Sequence, residues 1–389
     1  MALRLIRQFI KLEASAGVIL FLTAALAILV DNSSFSAGYQ SFFNLKISFS
    51  IGQFKLEKPL LLWVNDGFMA LFFLLVGLEI KREMMEGELN SVSKATLPLI
   101  AAVGGMVVPS FIYLCLNWHN PHALKGWAIP TATDTAFSLG ILYLLGNRIP
   151  VSLKIFLTAL AIFDDIGAII VMAVFYTSHV SLLMLLCALM LVCLLLLFNY
   201  MNVRQLGAYF IVGVVLWLCV LKSGVHATLA GIILAFTIPI KRARAEDKSP
   251  LHLLEHKLHP WVAFGILPLF AFANAGVSFS GLTWEHFFQA IPLGIACGLF
   301  FGKQIGIWTT TMLSVRFGIS PLPKHLTPLG LYGMSLIAGV GFTMSLFIGT
   351  LAFHSVPPYA AYVRMGVIFG SIFSGLLGYW ILRVAYRVD

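Results

Sequence analysis

Charge is what this chain has least of. Asp, Glu, Lys and Arg make up 11% of its 389 residues, where a soluble domain carries about 25%. Hydrophobic residues make up 60%, and the mean hydropathy is +0.94. So few charges cannot clothe a water-facing surface, which excludes a soluble globular protein and points to an integral membrane one. Cysteine is scarce too. Cys115, Cys187, Cys193, Cys219 and Cys297 all lie in apolar segments without CxxC spacing. This excludes a zinc ribbon or a disulfide frame, and the expectation is buried small hydrophobes. Alternating ten-residue segments are missing, so a transmembrane β-barrel is excluded. The basic residues are scattered over short loops without a basic domain, so nucleic acid is not an expected partner. Met1–Lys11 is short and basic, but the apolar run behind it lacks a small-residue cleavage site. It is expected to be a first span and not a cleaved signal peptide.

What the chain does have is apolar runs of helical length. They predict an all-α integral membrane fold of about twelve transmembrane helices, at 12–30, 59–80, 96–116, 124–144, 151–175, 181–199, 205–221, 224–240, 257–275, 290–312, 328–351 and 358–384. The loop charges orient them. Arg4, Arg7, Lys11, Lys81, Arg82, Lys94, Arg148, Arg204, Lys241, Arg242, Arg244, Lys248, Lys257, Arg316, Lys324, Arg383 and Arg387 fall on one side. Lys46, Lys55, Lys58, Lys125 and Lys222 fall on the other. The positive-inside bias then places both termini in the cytoplasm, which requires an even number of spans. On the outer side, residues 45–58 alternate apolar and polar about Ile51-Gly-Gln53, a small external β-hairpin signal. Two strands alone are marginal, so the hairpin is expected to pair with its copy in a second subunit, making a homodimer.

Two spans carry internal breaks. In the fourth, Pro130 lies in Ala128-Ile-Pro-Thr-Ala-Thr-Asp-Thr-Ala136 and disfavours helix at Ile129. In the eleventh, two glycines loosen Ala338-Gly-Val-Gly-Phe-Thr-Met344. Freed backbone groups at mid-membrane are tolerated where they line a polar cavity or find protein partners. Interrupted spans in both halves of a chain point to a transporter's binding site.

The chemistry concentrates in Leu157–Met172, apolar except for Thr158 and the dipeptide Asp164-Asp165. Each Asp at the centre of a bilayer helix costs roughly 2.5–3.5 kcal/mol on insertion scales. Adjacent on one helix, the pair diverges by about 100° and cannot form a face-to-face dyad, but it can face two partners. Burial and a second carboxylate favour protonation, whereas a small hard cation favours the charged form. Sodium and protons therefore compete for the same oxygens. Lys303, in Gly298-Leu-Phe-Phe-Gly-Lys-Gln-Ile-Gly306, is the basic residue that can offset Asp164. Thr133 and Asp134 sit at the break in the fourth span, where Thr133 can lend an oxygen and Asp134 can compensate helix N-termini or act as a ligand. Which of Asp164 and Lys303 carries a second proton stays open.

These motifs carry a resemblance. Ala132-Thr-Asp-Thr-Ala-Phe137, Phe163-Asp-Asp-Ile-Gly167, Leu78-Glu-Ile-Lys-Arg-Glu83, Leu254-Glu-His-Lys-Leu-His-Pro-Trp261, Phe270-Ala-Phe-Ala-Asn-Ala-Gly-Val277 and Gly339-Val-Gly-Phe-Thr-Met-Ser345 together resemble the NhaA-type sodium/proton antiporters over essentially the whole chain. The resemblance implies one transporter domain over 1–389, with an inverted-topology repeat of spans 96–175 and 290–384 and two interrupted crossing helices. It implies an electrogenic Na⁺ (Li⁺)/H⁺ antiporter of the bacterial inner membrane. No cofactor is expected. The resemblance supports Asp165 as the principal Na⁺ ligand and Asp164 as the second, joined in the cation- and proton-binding set by Thr133, Asp134 and Lys303. It also implies a pH-response set of Glu79, Arg82, Glu83, His226, Glu255 and His256, against which stands a reading of ordinary interfacial ion pairs. A sodium-coupled organic-anion symporter on the same fold is the alternative. An enzyme is not expected, because an intramembrane aspartyl protease needs two Asp on separate helices.

Overall fold

The computed structural model describes residues 2–51, 54–177, 180–240, 249–278, 284–353 and 357–387. Lys241, Arg242, Arg244 and Lys248, used above for orientation, lie outside the described residues, as does the hairpin tip at 52–53. Among the described residues the regular secondary structure is helical apart from one antiparallel pair, β1 (Lys46–Ile51) and β2 (Phe54–Pro59), in the register Lys46↔Pro59 to Ile51↔Phe54. Long apolar helices account for seven of the expected spans without a sharp bend: Leu60–Met85, Val92–Asn117, Val151–Phe175, Leu182–Tyr200, Leu206–Ser223, Ala290–Arg316 and Tyr359–Ala385. The other expected spans correspond to α-helix Ala2–Asp31 and to shorter or broken pieces. The helices Leu182–Tyr200 and Leu206–Ser223 leave Leu182, Leu183, Leu189, Met190 and Ile211 exposed. Such a surface is stable against lipid and not against water.

The cysteine expectation needs correction. Among the described residues all five are free, none is buried, and Cys115 and Cys193 are exposed. In a bilayer the outward face is as apolar as the core, so an apolar position carries no inference of burial.

The chain divides into two compact units. One holds 1–37, 91–168 and 274–389; the other holds 38–90 and 169–273. In the first unit we number α1 (Val92–Asn117), α2 (Thr135–Leu144), α3 (Val151–Phe175, whose last turns pass into the other unit), α4 (Ala290–Arg316), α5 (Pro328–Ile337), α6 (Phe342–Ala352) and α7 (Pro357–Ala385). Helices α1 and α4 approach each other closely. Gly298, Gly302 and Gly306 recur every fourth residue on one face of α4. A Cβ on Gly302 would lie 2.5 Å from Pro109 Cα, and one on Gly306 would lie 2.2 Å from the Gly104 carbonyl oxygen. This small-residue stripe lets two backbones touch where the hydrophobic effect gives helices no reason to associate. It also fixes the rotation of α4, and with it where Lys303 points. A π-turn over Gly298–Gly302 immediately precedes Lys303, an irregularity frequent at functional sites.

In the second unit, a π-turn at Val64–Phe68 interrupts helix Leu60–Met85. The helix Leu229–Thr237 lies so close to it that a Cβ on Gly231 would fall 2.1 Å from the Ala70 carbonyl oxygen. Buried Lys81 donates to the carbonyls of Phe236 (2.7 Å) and Ile238 (2.6 Å) at the end of that short helix. It thereby satisfies orphaned carbonyls and the negative helix end together.

Candidate functional site

Both expected breaks are present. In the fourth expected span a 3₁₀ turn at Ile129–Thr131 gives way to non-helical residues 132–134 before α2 begins at Thr135. In the eleventh, α5 stops at Ile337 and α6 resumes at Phe342, bent by 45°. The two irregular segments satisfy each other's backbone. Asp134 N donates to the Val340 carbonyl (2.7 Å), Ser138 Oγ to Ile337 (3.1 Å) and Ser345 Oγ to Ile129 (2.7 Å). This is how non-helical backbone survives at membrane depth.

Asp134 joins two helix starts. Its Oδ1 accepts from Phe137 N (2.9 Å), capping α2, and its Oδ2 accepts from Thr343 N (2.9 Å) and Thr343 Oγ1 (2.6 Å) at the start of α6. A carboxylate at two convergent positive helix ends is favourable on both dipole and capping grounds.

The other expected residues meet one turn away. Lys303 Nζ donates to Asp164 Oδ2 (2.6 Å) and to Thr133 Oγ1 (3.0 Å). The Thr133 hydroxyl lies 2.7 Å from Asp164 Oδ2 and 2.8 Å from the Ala338 carbonyl. Its single proton can serve only one of those acceptors at a time. Asp164 is 1% exposed, Lys303 and Thr133 0%, and Asp165 on the next position of α3 is 7% exposed. Among the described residues, Asp164 Oδ1 is buried without a hydrogen-bond partner. An ion pair this dry is offset only when its remaining lone pairs are satisfied, so the orphaned oxygen marks where a cation or proton would be welcome. Lys303 also feels the charge of Asp165. The structure thus brings Thr133, Asp164, Asp165 and Lys303 together and puts Asp134 beside them as a helix-end partner.

The pH-response residues do not form one cluster. In the second unit Arg82 bonds Glu83 (Nη1 to Oε1, 2.8 Å) and Glu255 (Nε to Oε1, 3.0 Å), with Glu79 in electrostatic reach. His252 Nε2 lies 3.0 Å from Glu86 Oε2. Burial raises the Glu255 carboxyl above its ordinary range, and the neighbouring Arg82 opposes that shift. His256 is exposed. His226 stands apart, its Nδ1 2.8 Å from Thr228 Oγ1 and in electrostatic reach of Asp66 and Lys58, which pair at 2.6 Å. Sequence reasoning missed Ser138, Thr343 and Ser345 as partners across the breaks. The signal for them was hydroxyl residues within a few positions of each interruption.

The family model described as Na⁺/H⁺ antiporter 1 matches residues 7–382. The Na⁺/H⁺ antiporter NhaA of Rhodospirillum rubrum is 55% identical, over 100% of this chain and 99% of its own length. The protein of the same name from Pseudomonas fluorescens is 52% identical over 98% and 96%. The Na⁺/H⁺ antiporter NhaA 1 of Syntrophotalea carbinolica is 50% identical over 100% and 98%. These matches lend no support to the organic-anion symporter. With a family match across nearly its whole length and relatives above half identity, this multi-pass membrane chain belongs to the Na⁺/H⁺ antiporter 1 family.

Proposed function

We propose that the protein exchanges cytoplasmic Na⁺ or Li⁺ for external H⁺ across the bacterial inner membrane, by alternating access to one site on Asp164, Asp165 and Thr133. The observation that carries this reading is the dry Asp164–Lys303 pair with its unpartnered Asp164 Oδ1. A cation entering between Asp164 and Asp165 competes with the Lys303 ammonium for the same carboxylate. The Thr133 hydroxyl can turn its proton to the Ala338 carbonyl, leaving oxygen lone pairs toward the cation. Two protons leave the cluster as one cation binds, so each cycle moves one net charge. The membrane potential then supplies about 2.3 kcal/mol per 100 mV. No cofactor enters this cycle, and the ions are cargo. In everted vesicles, adding NaCl or LiCl to a preformed pH gradient should release protons, and Asp165→Asn should reduce that response to background. A full response from Asp165→Asn would refute the assignment.

The pH regulation follows from the Arg82 group. A raised Glu255 carboxyl stays protonated at pH values where an exposed Glu is already charged, and it ionises as pH climbs. Arg82, already paired with Glu83, then gains Glu255 as a second charged partner. We expect Glu255→Gln to move the pH midpoint of exchange upward by about one unit; an unchanged profile would return these residues to the role of ordinary ion pairs. The two interrupted spans, at corresponding positions of 96–175 and 290–384, support the inverted-repeat reading of one transporter domain. The loop-charge bias supports both termini being cytoplasmic, and the hairpin supports a homodimer: β1 and β2 form a two-stranded sheet among the described residues, and exposed edges invite a second copy. Deleting residues 46–57 should convert the dimer to monomer in detergent, read as mass by light scattering. Undiminished mass would count against this contact.

A further inference from the structure

Lys303 is followed by a second buried polar residue that the exchange cycle leaves unused. Gln304 is 4% exposed, and its Oε1 accepts from the Tyr332 hydroxyl of α5 at 2.5 Å. One turn along α4, Trp308 Nε1 donates to the Pro328 carbonyl at the start of α5 (3.3 Å), and the Trp308 and Tyr332 rings meet edge to face with centroids 6.5 Å apart. Gln304 and Trp308 stand four apart on one face of α4, and Pro328 and Tyr332 four apart on one face of α5. The two helices are therefore clasped at two points. Helix α5 also packs closely on α7: a Cβ on Gly378 would lie 2.6 Å from Ile337 Cγ1, and one on Gly333 would lie 2.8 Å from Leu382 Cγ. Packing of that kind has no preferred direction, whereas a hydrogen bond weakens steeply off its axis. The clasp is thus what sets how far α5 sits along α4.

That setting matters at the far end of α5. Ala338 lies six residues beyond Tyr332, about 9 Å along the helix. Its N–H still donates to the Met334 carbonyl (2.9 Å), so it moves with α5, and its own carbonyl lies 2.8 Å from Thr133 Oγ1. One residue before Gln304, Lys303 donates to that same Thr133 oxygen at 3.0 Å. The clasp therefore links the two groups that decide how the Thr133 hydroxyl is turned. With the Ala338 carbonyl in place, the hydroxyl proton has an acceptor away from the carboxylate. With that carbonyl displaced, the proton falls to Asp164 Oδ2, 2.7 Å away, and occupies a lone pair that a cation needs. We propose that Gln304 and Tyr332 are positioning residues for the exchange: their hydrogen bond holds the Ala338 carbonyl against Thr133 and so sets the affinity of the site for Na⁺. The proposal rests on the reading of Asp164, Asp165 and Thr133 as the cation site.

The test compares Tyr332→Phe, Gln304→Met and the double variant with wild type in everted vesicles, reading the Na⁺ concentration for half-maximal proton release apart from the maximal rate. Each single variant should raise that concentration about fivefold with the maximal rate retained. The double variant should raise it no further, because both changes remove the same bond. Melting in detergent separates a merely structural role. Tyr332→Phe leaves the buried Gln304 oxygen without its donor and should melt lower, and the double variant, which removes the orphaned oxygen too, should recover. Recovery of melting with wild-type Na⁺ dependence in all three variants would overturn the proposal, as would a lost maximal rate at unchanged half-maximal Na⁺. Asp165→Asn in the same vesicles tells the two failures apart. Silent Asp165→Asn beside an unshifted Tyr332→Phe sinks the clasp alone, whereas a full response from Asp165→Asn sinks the cation site and the clasp with it.

Discussion

Asp164→Asn should abolish sodium-driven proton movement, and with it the current that wild-type protein generates in proteoliposomes on a sodium jump. The change is isosteric, so its effect is electrostatic. The amide keeps an acceptor oxygen within reach of Lys303 and Thr133 but cannot bind or release a proton, and it offers no charge to an entering cation. Removing one partner of a buried ion pair also costs about 3–5 kcal/mol of stability, and the variant leaves an entering cation one carboxylate where there were two. Asp164, at 1% exposure, has little solvent to dilute that cost. Wild-type affinity in the variant, measured as the Na⁺ concentration for half-maximal response, would show that the Asp164–Lys303 contact is incidental to exchange.

Lys303→Met gives the second large effect, on stability. Lys303 is fully buried with its ammonium on Asp164 and Thr133. Its loss leaves a dry carboxylate with only the Thr133 hydroxyl, so the melting temperature in detergent should fall by roughly 5–10 °C. The double variant Asp164→Asn/Lys303→Met replaces both charges and should recover much of that loss, because replacing a whole buried pair is often near neutral. It should recover no transport. Additive losses in the double variant would mean that the two residues do not form a coupled pair. A structural salt bridge would behave the same way in melting but would leave exchange intact in the double variant, so the two readouts separate the roles.

Much of the fold was legible because a bilayer demands it. Twenty apolar residues in a row have few alternatives to helix, and Pro130 and the Gly339/Gly341 pair mark the breaks by backbone chemistry alone. An Asp pair in such a helix announces a site by its cost. Contacts across sequence were another matter. Nothing local says that Lys81 caps the helix Leu229–Thr237, that Thr343 shares Asp134 with Phe137, or that His226 lies with Asp66 and Lys58 and away from the Arg82 group. The cysteines show the same limit, since apolar neighbours do not tell a lipid-facing position from a packed one.

By itself, then, the sequence determined that this chain is a helical membrane protein, where its helices break, and which carboxylates and ammonium must be paired or used. Those follow from the cost of placing backbone and charge in hydrocarbon. The Asp164–Lys303 pairing was foreseeable from charge, but the tertiary structure decided that Thr133 joins it and how the remaining partners meet. The glycine stripe at 298, 302 and 306 sets the rotation of α4 against α1, and that rotation brings Lys303 to Asp164 and Thr133. A side chain's partner across the bundle depends on helix rotation and approach distance, quantities that residue identity constrains but packing fixes.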